Sequence, residues 1–140
     1  MNMKTIYLFA VAVVLCLLSS CTRNNGDIGE LFGLWRVTSI ETNGVELDNY
    51  EGTMYFAFQT TVFCQKTVIE STHEYEDRFA TWKYEGKDIV IDFHDYLPYE
   101  ITGMQEGSNH VIIEKIKGKD MVMSYTSTEG VEYKYILKRW

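Results

Sequence analysis

Residues 80–94, ATWKYEGKDIVIDFH, carry the pattern that decides the fold. Ala80, Trp82 and Tyr84 alternate with Thr81 and Lys83, and Ile89, Ile91 and Phe93 alternate with Val90, Asp92 and His94. Successive side chains of a strand point to opposite faces, so a period of two marks a half-buried β-strand. Between the two runs lies Glu85-Gly86-Lys87, where glycine supplies the positive φ that a tight reversal needs. The stretch therefore reads as an antiparallel hairpin with one apolar face.

The same grammar extends in both directions. Toward the N-terminus, Trp35, Val37 and Ser39 are expected on one face of a first strand, opposite Arg36 and Thr38, with a turn at Asn43-Gly44. Met54, Phe56 and Phe58 form one side of a second strand, and residues 61–69 (TVFCQKTVI) form a third whose facing the pattern leaves open. Ser71 to Asp77 reads as a polar bend. Toward the C-terminus, Pro98 marks a bend or a strand edge, because it has no N–H to give a ladder. A strand is expected around Tyr99 to Met104, then a loop from Gln105 to Asn109. Val111 to Ile116 and the Met121/Met123/Tyr125 run make a hairpin about Lys117-Gly118-Lys119, and Tyr133, Tyr135 and Leu137 alternate to the end. Outside the leader, helical periodicity is confined to a turn near Ile28 to Phe32. About eight or nine short strands with glycine or asparagine turns predict an all-β, antiparallel, up-and-down arrangement. A meander of this length closes into a barrel of about eight strands, since closure removes the edges that would pair with other chains.

The first thirty residues have a different character. Lys4 precedes an apolar run from Ile6 to Leu18, too short for the roughly 20 residues that a permanent span requires. A short basic region, a short apolar region and small residues are the marks of an export signal. Leu18-Ser19-Ser20-Cys21 resembles the lipobox of bacterial lipoproteins, which implies cleavage after Ser20 and diacylglycerol on the Cys21 thiol. The alternative is an ordinary secretory signal cleaved nearby, leaving Cys21 to pair with Cys64. With Cys16 removed and Cys21 acylated, Cys64 is the remaining thiol of the mature chain and no internal disulfide forms. It is expected as a small apolar filler in a strand. Residues 1–20 are thus read as the signal peptide, 21–30 (CTRNNGDIGE) as a flexible tether, and 31–140 as one domain.

Loss of Lys4 leaves 12 basic against 20 acidic side chains after the signal. This balance argues against nucleic acid as a partner and against charge-driven binding to anionic membranes, so membrane attachment is expected from lipid alone. Thr22 follows Cys21, in place of the aspartate that retains many lipoproteins at an inner membrane, so the outer membrane is the expected location.

Gly33-Leu34-Trp35, opening the first strand directly after Leu31-Phe32, resembles the G-x-W signature of lipocalins, in particular the short lipocalin-like domains of bacterial lipoproteins. Residues 80–87 (ATWKYEGK) and 133–139 (YKYILKR) are similar to the middle hairpin and closing strand of those domains. The resemblance implies a lipocalin-like barrel in which Trp35 plugs the closed end and a basic residue of the last strand packs across it. Arg139 has the parity of Tyr133, Tyr135 and Leu137, and over Trp35 it would add a cation–π contact of about 0.5–2 kcal/mol. The chain is shorter than classical lipocalins and lacks their disulfide and C-terminal helix, which counts against a large ligand cavity.

Reactive groups are sparse. His73, His94 and His110 form no metal-ligand spacing, and His94 beside Asp92 and Asp95 is more simply an outward grouping on adjacent strand positions. Carboxylates crowd loops and outer faces, and there is no nucleophile elbow or phosphate-cradling glycine loop. No catalytic residue, metal or cofactor is expected. The candidates for function are the interior rows: Phe56, Phe58, Trp82, Tyr84, Met123, Tyr125, Tyr133 and Tyr135. They either fill the tube as a dry core, which their bulk favours, or line an apolar pocket with tyrosine hydroxyl handles. The leading expectation is a non-enzymatic envelope lipoprotein binding a small hydrophobic ligand at the open end. The alternative is an interaction or inhibitor module whose acidic segments, Glu70 to Asp77 and Asp92 to Glu100, dock on a protein partner.

Overall fold

A computed structural model describes residues 2–20 and 29–140 of the chain. Cys21 and most of the expected tether lie outside the described residues. Residues 3–20 form a helix, α1 (Met3–Ser20), and among the described residues no helix is long and apolar enough to cross a membrane. A 3-10 turn at Gly29–Leu31 then delivers the chain to nine strands: β1 (Gly33–Thr42), β2 (Val45–Glu46), β3 (Met54–Phe58), β4 (Val62–Ile69), β5 (Glu74–Glu85), β6 (Asp88–Phe93), β7 (Gly107–Lys117), β8 (Asp120–Thr126) and β9 (Glu132–Arg139). Consecutive strands from β3 to β9 pair antiparallel, and β1 pairs with both β3 and β9. β1 and β3–β9 therefore close an eight-stranded up-and-down barrel, with the two-residue β2 added at the end of β1.

The alternation read from the sequence places the core. Met54, Phe56 and Phe58, Ile89, Ile91 and Phe93, and Met121, Met123 and Tyr125 are all buried. β4 resolves its facing as well: Phe63 and Gln65 are fully buried, and Gln65 bonds across the interior to Thr102. Cys64 is paired laterally with Ala57 and Phe79 and is also buried. Burial, with Asp77 nearby, pushes its thiol up to about 11, so it stays protonated and inert at neutral pH.

Four expectations are corrected. Ser39 does not share the face of Trp35 and Val37, because a β-bulge between Val37 and Ser39 shifts the parity. Ile40 enters the core instead, and Ser39 Oγ donates to Glu46 Oε1 at 3.1 Å. The polar bend at Ser71 to Asp77 is shorter than expected: β5 starts at Glu74, and its acidic residues pair laterally with β4. The expected strand at Tyr99 to Met104 is a 3-10 turn, Glu100–Thr102, ended by Gly103 at φ 74°. The expected loop from Gln105 to Asn109 already contains the start of β7 at Gly107.

A meander alternates its ends. The turn residues 59–61, 86–87 and 118–119 lie at the end where β1 begins and β9 finishes, and residues 43–53, 70–73, 94–106 and 127–131 lie at the other.

Candidate functional site

The end at which β1 begins is sealed by side chains of two neighbouring strands. Trp35 and Arg139 are lateral partners across β1 and β9, and the Trp35 indole is fully buried. The Arg139 guanidinium lies over that ring, 4.2 Å from its centroid. Its Nη1 donates to Phe32 O at 2.8 Å and its Nη2 to Glu30 O, while Trp35 Nε1 donates to Leu31 O at 3.0 Å. Trp35 and Arg139 thus lie together at this end, and their bonds tie the 3-10 turn before β1 to the barrel.

Above the plug the interior is filled by aromatic edge contacts. Phe63 meets Phe56 at 5.2 Å and Phe58 at 5.0 Å between centroids, Phe58 meets Trp82 at 5.3 Å, and Phe56 meets Tyr135 at 5.4 Å. Such pairs contribute about 0.5–1.5 kcal/mol each beyond their buried area.

The mouth is covered by part of the β6–β7 connection. Three buried polar residues hold it. Tyr135, on β9 inside the barrel, donates its hydroxyl to Thr102 O. Gln65, on β4, accepts from Tyr99 N through Oε1 at 2.8 Å and donates from Nε2 to Thr102 Oγ1 at 3.3 Å. Asn109, at the start of β7, accepts from Gln105 N at 2.8 Å and donates to Gln105 O at 2.8 Å and Gly107 O at 3.0 Å. These bonds supply the partners that buried polar groups require. Burial of the Tyr135 phenol pushes its pKa well above the ordinary tyrosine value, so the hydroxyl remains a donor. Gly103 allows the close approach: a Cβ there would stand 2.2 Å from the Tyr133 ring.

Outside this cover, Leu47, Ile101 and Tyr133, with Thr42, Asn49 and Glu100, line an open cavity of about 560 Å³. Leu47, Ile101 and Tyr133 are partly buried and pack on the core, so the cavity floor is continuous with it. Tyr125 stacks on Tyr133 at 6.5 Å between centroids. Two further concavities, of about 430 and 470 Å³, lie on the outer wall of β4–β7.

The structure thus distributes the eight interior candidates unevenly. Phe56, Phe58, Met123 and Tyr135 are fully buried, Trp82 and Tyr125 nearly so, and Tyr133 reaches the mouth cavity. Tyr84 meets Trp82 edge-on at 5.1 Å between centroids but stands at the rim of this set. It has the right parity but lies three residues further along β5 than the last rung shared with β4, next to the 86–87 turn, and is 43 % exposed. The mouth residues Gln65, Thr102, Gly103 and Asn109 escaped sequence reasoning. Gln65 carried one signal: it shares the parity of Phe63 and Ile69, which requires either an outward strand or a buried amide with partners.

Among the described residues no group of three or more His, Cys, Asp or Glu side chains is placed to hold a metal ion. His94 Nε2 lies 3.4 Å from Thr81 Oγ1 and its Nδ1 lies 3.5 Å from Asp92 Oδ1, on the exposed outer wall.

The closed barrel agrees with comparison to known proteins. The model of the lipocalin-like domain family matches residues 16–135. This chain belongs to the lipocalin-like domain family. A lipocalin-like protein from Bacteroides uniformis superposes with a TM-score of 0.59 at 18 % identity, over 80 % of this chain and 100 % of that one. An uncharacterized protein from Bacteroides eggerthii superposes at 0.62 and 16 % identity, over 79 % and 99 %. Lobster apocrustacyanin A1 superposes at 0.50 and 10 % identity, over 87 % and 66 %. At these identities the likeness speaks for the fold. A search of curated proteins finds no match.

Proposed function

We propose that this lipocalin-like protein is a non-enzymatic lipoprotein of the cell envelope, acylated at Cys21 and held at the outer membrane, that binds a small hydrophobic ligand at the barrel mouth. One observation carries the ligand reading: an open cavity of about 560 Å³ in which polar Thr42, Asn49 and Glu100 surround Leu47, Ile101 and Tyr133, and these three pack on the aromatic core. Its volume lies in the range of small-molecule sites. The ligand rests between Ile101 and Tyr133. Deeper entry displaces the 3-10 turn and exposes Tyr135, Phe56 and Met123. The connections around the mouth carry eight carboxylates and no lysine or arginine among residues 43–53, 70–73, 94–106 and 127–131, which selects a neutral or cationic amphiphile over an anionic one.

Titration with Nile red, a neutral apolar fluorophore, tests this. The mature chain is expected to enhance and blue-shift its emission saturably, and Ile101→Asp is expected to weaken the effect about tenfold or more. No saturable uptake, or uptake indifferent to Ile101→Asp, would reject the mouth as the site. Acylation is read separately, from the mass of the mature protein and its detergent partitioning, which Cys21→Ser should abolish.

The same acidic mouth favours a second reading, docking of a basic protein partner there. Glu76 and Asp77 contribute less to it than the sequence implied, because they pair with Arg78 at 2.9 Å and Lys66 at 2.6 Å. Capture of a partner that is lost on reversing Glu46, Asp48 and Glu100 would support it.

A further inference from the structure

The chain is acidic overall, yet its charge is divided along the barrel axis. At the mouth the connecting segments hold only carboxylates among their full charges, as above, and all eight are exposed. At the closed end the order is reversed. Lys83 and Lys87 flank one turn, Lys115, Lys117 and Lys119 flank the next, and Lys138 with Arg139 ends β9. Against these seven stand five carboxylates, Glu30, Glu85, Asp88, Glu114 and Asp120. Four of the five already have a partner: Asp120 pairs with Lys138, which is thereby engaged too, Glu114 lies 3.4 Å from Lys134, Glu85 lies 3.7 Å from His110, and Asp88 Oδ1 accepts from the Ile113 amide at 3.2 Å. All six lysines are exposed, while Arg139 is half-buried over Trp35.

Exposed aromatics sit at the same end. Phe32, just before β1, is 51 % exposed, and Trp140, just after β9, is 73 % exposed. Trp140 is fixed there by its own amide, which donates to Leu34 O at 2.9 Å, and by edge contact with Tyr55 at 5.6 Å. Tyr84, 43 % exposed next to the 86–87 turn, adds a third ring at this end. Large aromatic rings among lysines are the side chains that settle at a lipid headgroup boundary. The chain also enters the barrel at this end, through the 3-10 turn at Gly29–Leu31.

We infer that the closed end of the barrel is a docking surface for an anionic phospholipid bilayer, so that the barrel stands on its base with the mouth directed away from the membrane. The inference rests on the lipoprotein reading only for the anchor; the surface belongs to the barrel. The overall negative charge does not oppose it. A ten-residue strand such as β1 is about 33 Å long at roughly 3.3 Å per residue, or about 25 Å along the axis after a barrel tilt near 40°. The screening length at physiological salt is about 8 Å. The acidic mouth therefore lies about three screening lengths from a surface touching the base, and the bilayer meets mainly the basic end. Headgroup phosphates would be met by Lys83, Lys87, Lys117 and Lys119, with Phe32 and Trp140 entering the interface between them.

The test uses the unacylated chain 22–140, so that binding owes nothing to lipid. This piece is suited to it because the whole core cluster lies within Leu31 to Leu137, without the leader. Vesicles of phosphatidylcholine alone are compared with vesicles containing phosphatidylglycerol. Co-sedimentation is expected only with the second, and release is expected as salt is raised. Each lysine in the set should be worth about fivefold in partitioning, so Lys83→Glu, Lys87→Glu and Lys119→Glu together should abolish binding. All three side chains are exposed, Lys83 on β5 and the other two in turns, and an unchanged near-ultraviolet circular dichroism spectrum confirms the fold. Trp35 and Trp82 are buried, so a blue shift of tryptophan emission on binding reports Trp140 and should vanish in Trp140→Phe. Equal binding to both vesicle types, no binding to either, or binding indifferent to the lysine reversals would overturn the inference. So would a polyglutamate chain that competes the protein off the vesicles at equal charge, since that marks an acidic protein as the better occupant. A chain that docks this way yet carries no acyl group at Cys21 in cells would leave the surface standing and remove the anchor alone.

Discussion

The two ends of the barrel are closed by different means. At the base, the seal consists of one side chain from the first strand and one from the last, laterally paired across a single ladder, with Trp35 beneath Arg139. At the mouth, the seal is a segment of backbone, residues 99 to 105, suspended from side chains on β4, β7 and β9. The first is an apolar plug inside regular structure, and opening it means unfolding the barrel. The second is a short turn held by a handful of hydrogen bonds, each worth only about 0.5–1.5 kcal/mol net. Local opening at that cost leaves the eight-stranded ladder intact. Rigidity is therefore concentrated at the base and adaptability at the mouth, in keeping with the proposed docking surface at the one and the proposed ligand site at the other.

Substitutions at the two ends should separate these roles. Trp35→Ala removes a fully buried indole and is expected to cost about 3–5 kcal/mol, read as a large fall in the denaturant midpoint. If the variant unfolded at the wild-type midpoint, the base would not be the stabilising end. Gln65→Leu comes next, at about 1–3 kcal/mol, because the Tyr99 amide loses its partner and the Thr102 hydroxyl one of its contacts. Unlike Trp35→Ala, it should raise Nile red uptake by loosening the cover. Tyr135→Phe removes the bond to Thr102 O alone and should cost about 1 kcal/mol, with a smaller gain in uptake. Equal effects of the base and mouth substitutions on uptake would contradict the division.

Alkaline pH offers the finest probe. Burial pushes the Tyr50 phenol from its ordinary 10.0 up to about 12, where its hydroxyl donates to Val37 O and accepts from Met54 N at 3.1 Å. The neutral form is favoured in the folded state. Its contribution is therefore complete below pH 10 and is lost as pH rises from about 10 to about 12. Denaturant midpoints measured across that window should decline, and Tyr50→Phe should flatten part of the decline while lowering stability at neutral pH. A thiol reagent at pH 8 should likewise leave Cys64 unmodified until the chain is unfolded.

How much was legible follows from the range of the interactions involved. Met54/Phe56/Phe58 and Ile89/Ile91/Phe93 announced their faces because strand parity is a local property, set by the backbone two residues at a time. Arg139 could be placed over Trp35 because its parity in β9 was readable and the family resemblance supplied the partner. Ser39 was misplaced because a bulge is one residue of irregularity with no marker in the side chains around it. Tyr99 to Met104 looked like a strand since Tyr, Ile and Thr favour extended structure. What bends it is the demand of Gln65 and Tyr135 for partners, from residues more than thirty positions away. The end of the barrel on which Tyr84 stands was likewise hidden, although its face was not.

The sequence by itself determined an antiparallel meander and most of its inward residues, because each is written in spacing or in contiguous residues, and with the family resemblance it paired Trp35 with Arg139 at the base. Only the tertiary structure decided which loops share an end. The covered mouth and the separation of an acidic rim from a basic base both depend on that assignment. A chain-wide net charge records how many charges there are; closure of the barrel fixes where they stand.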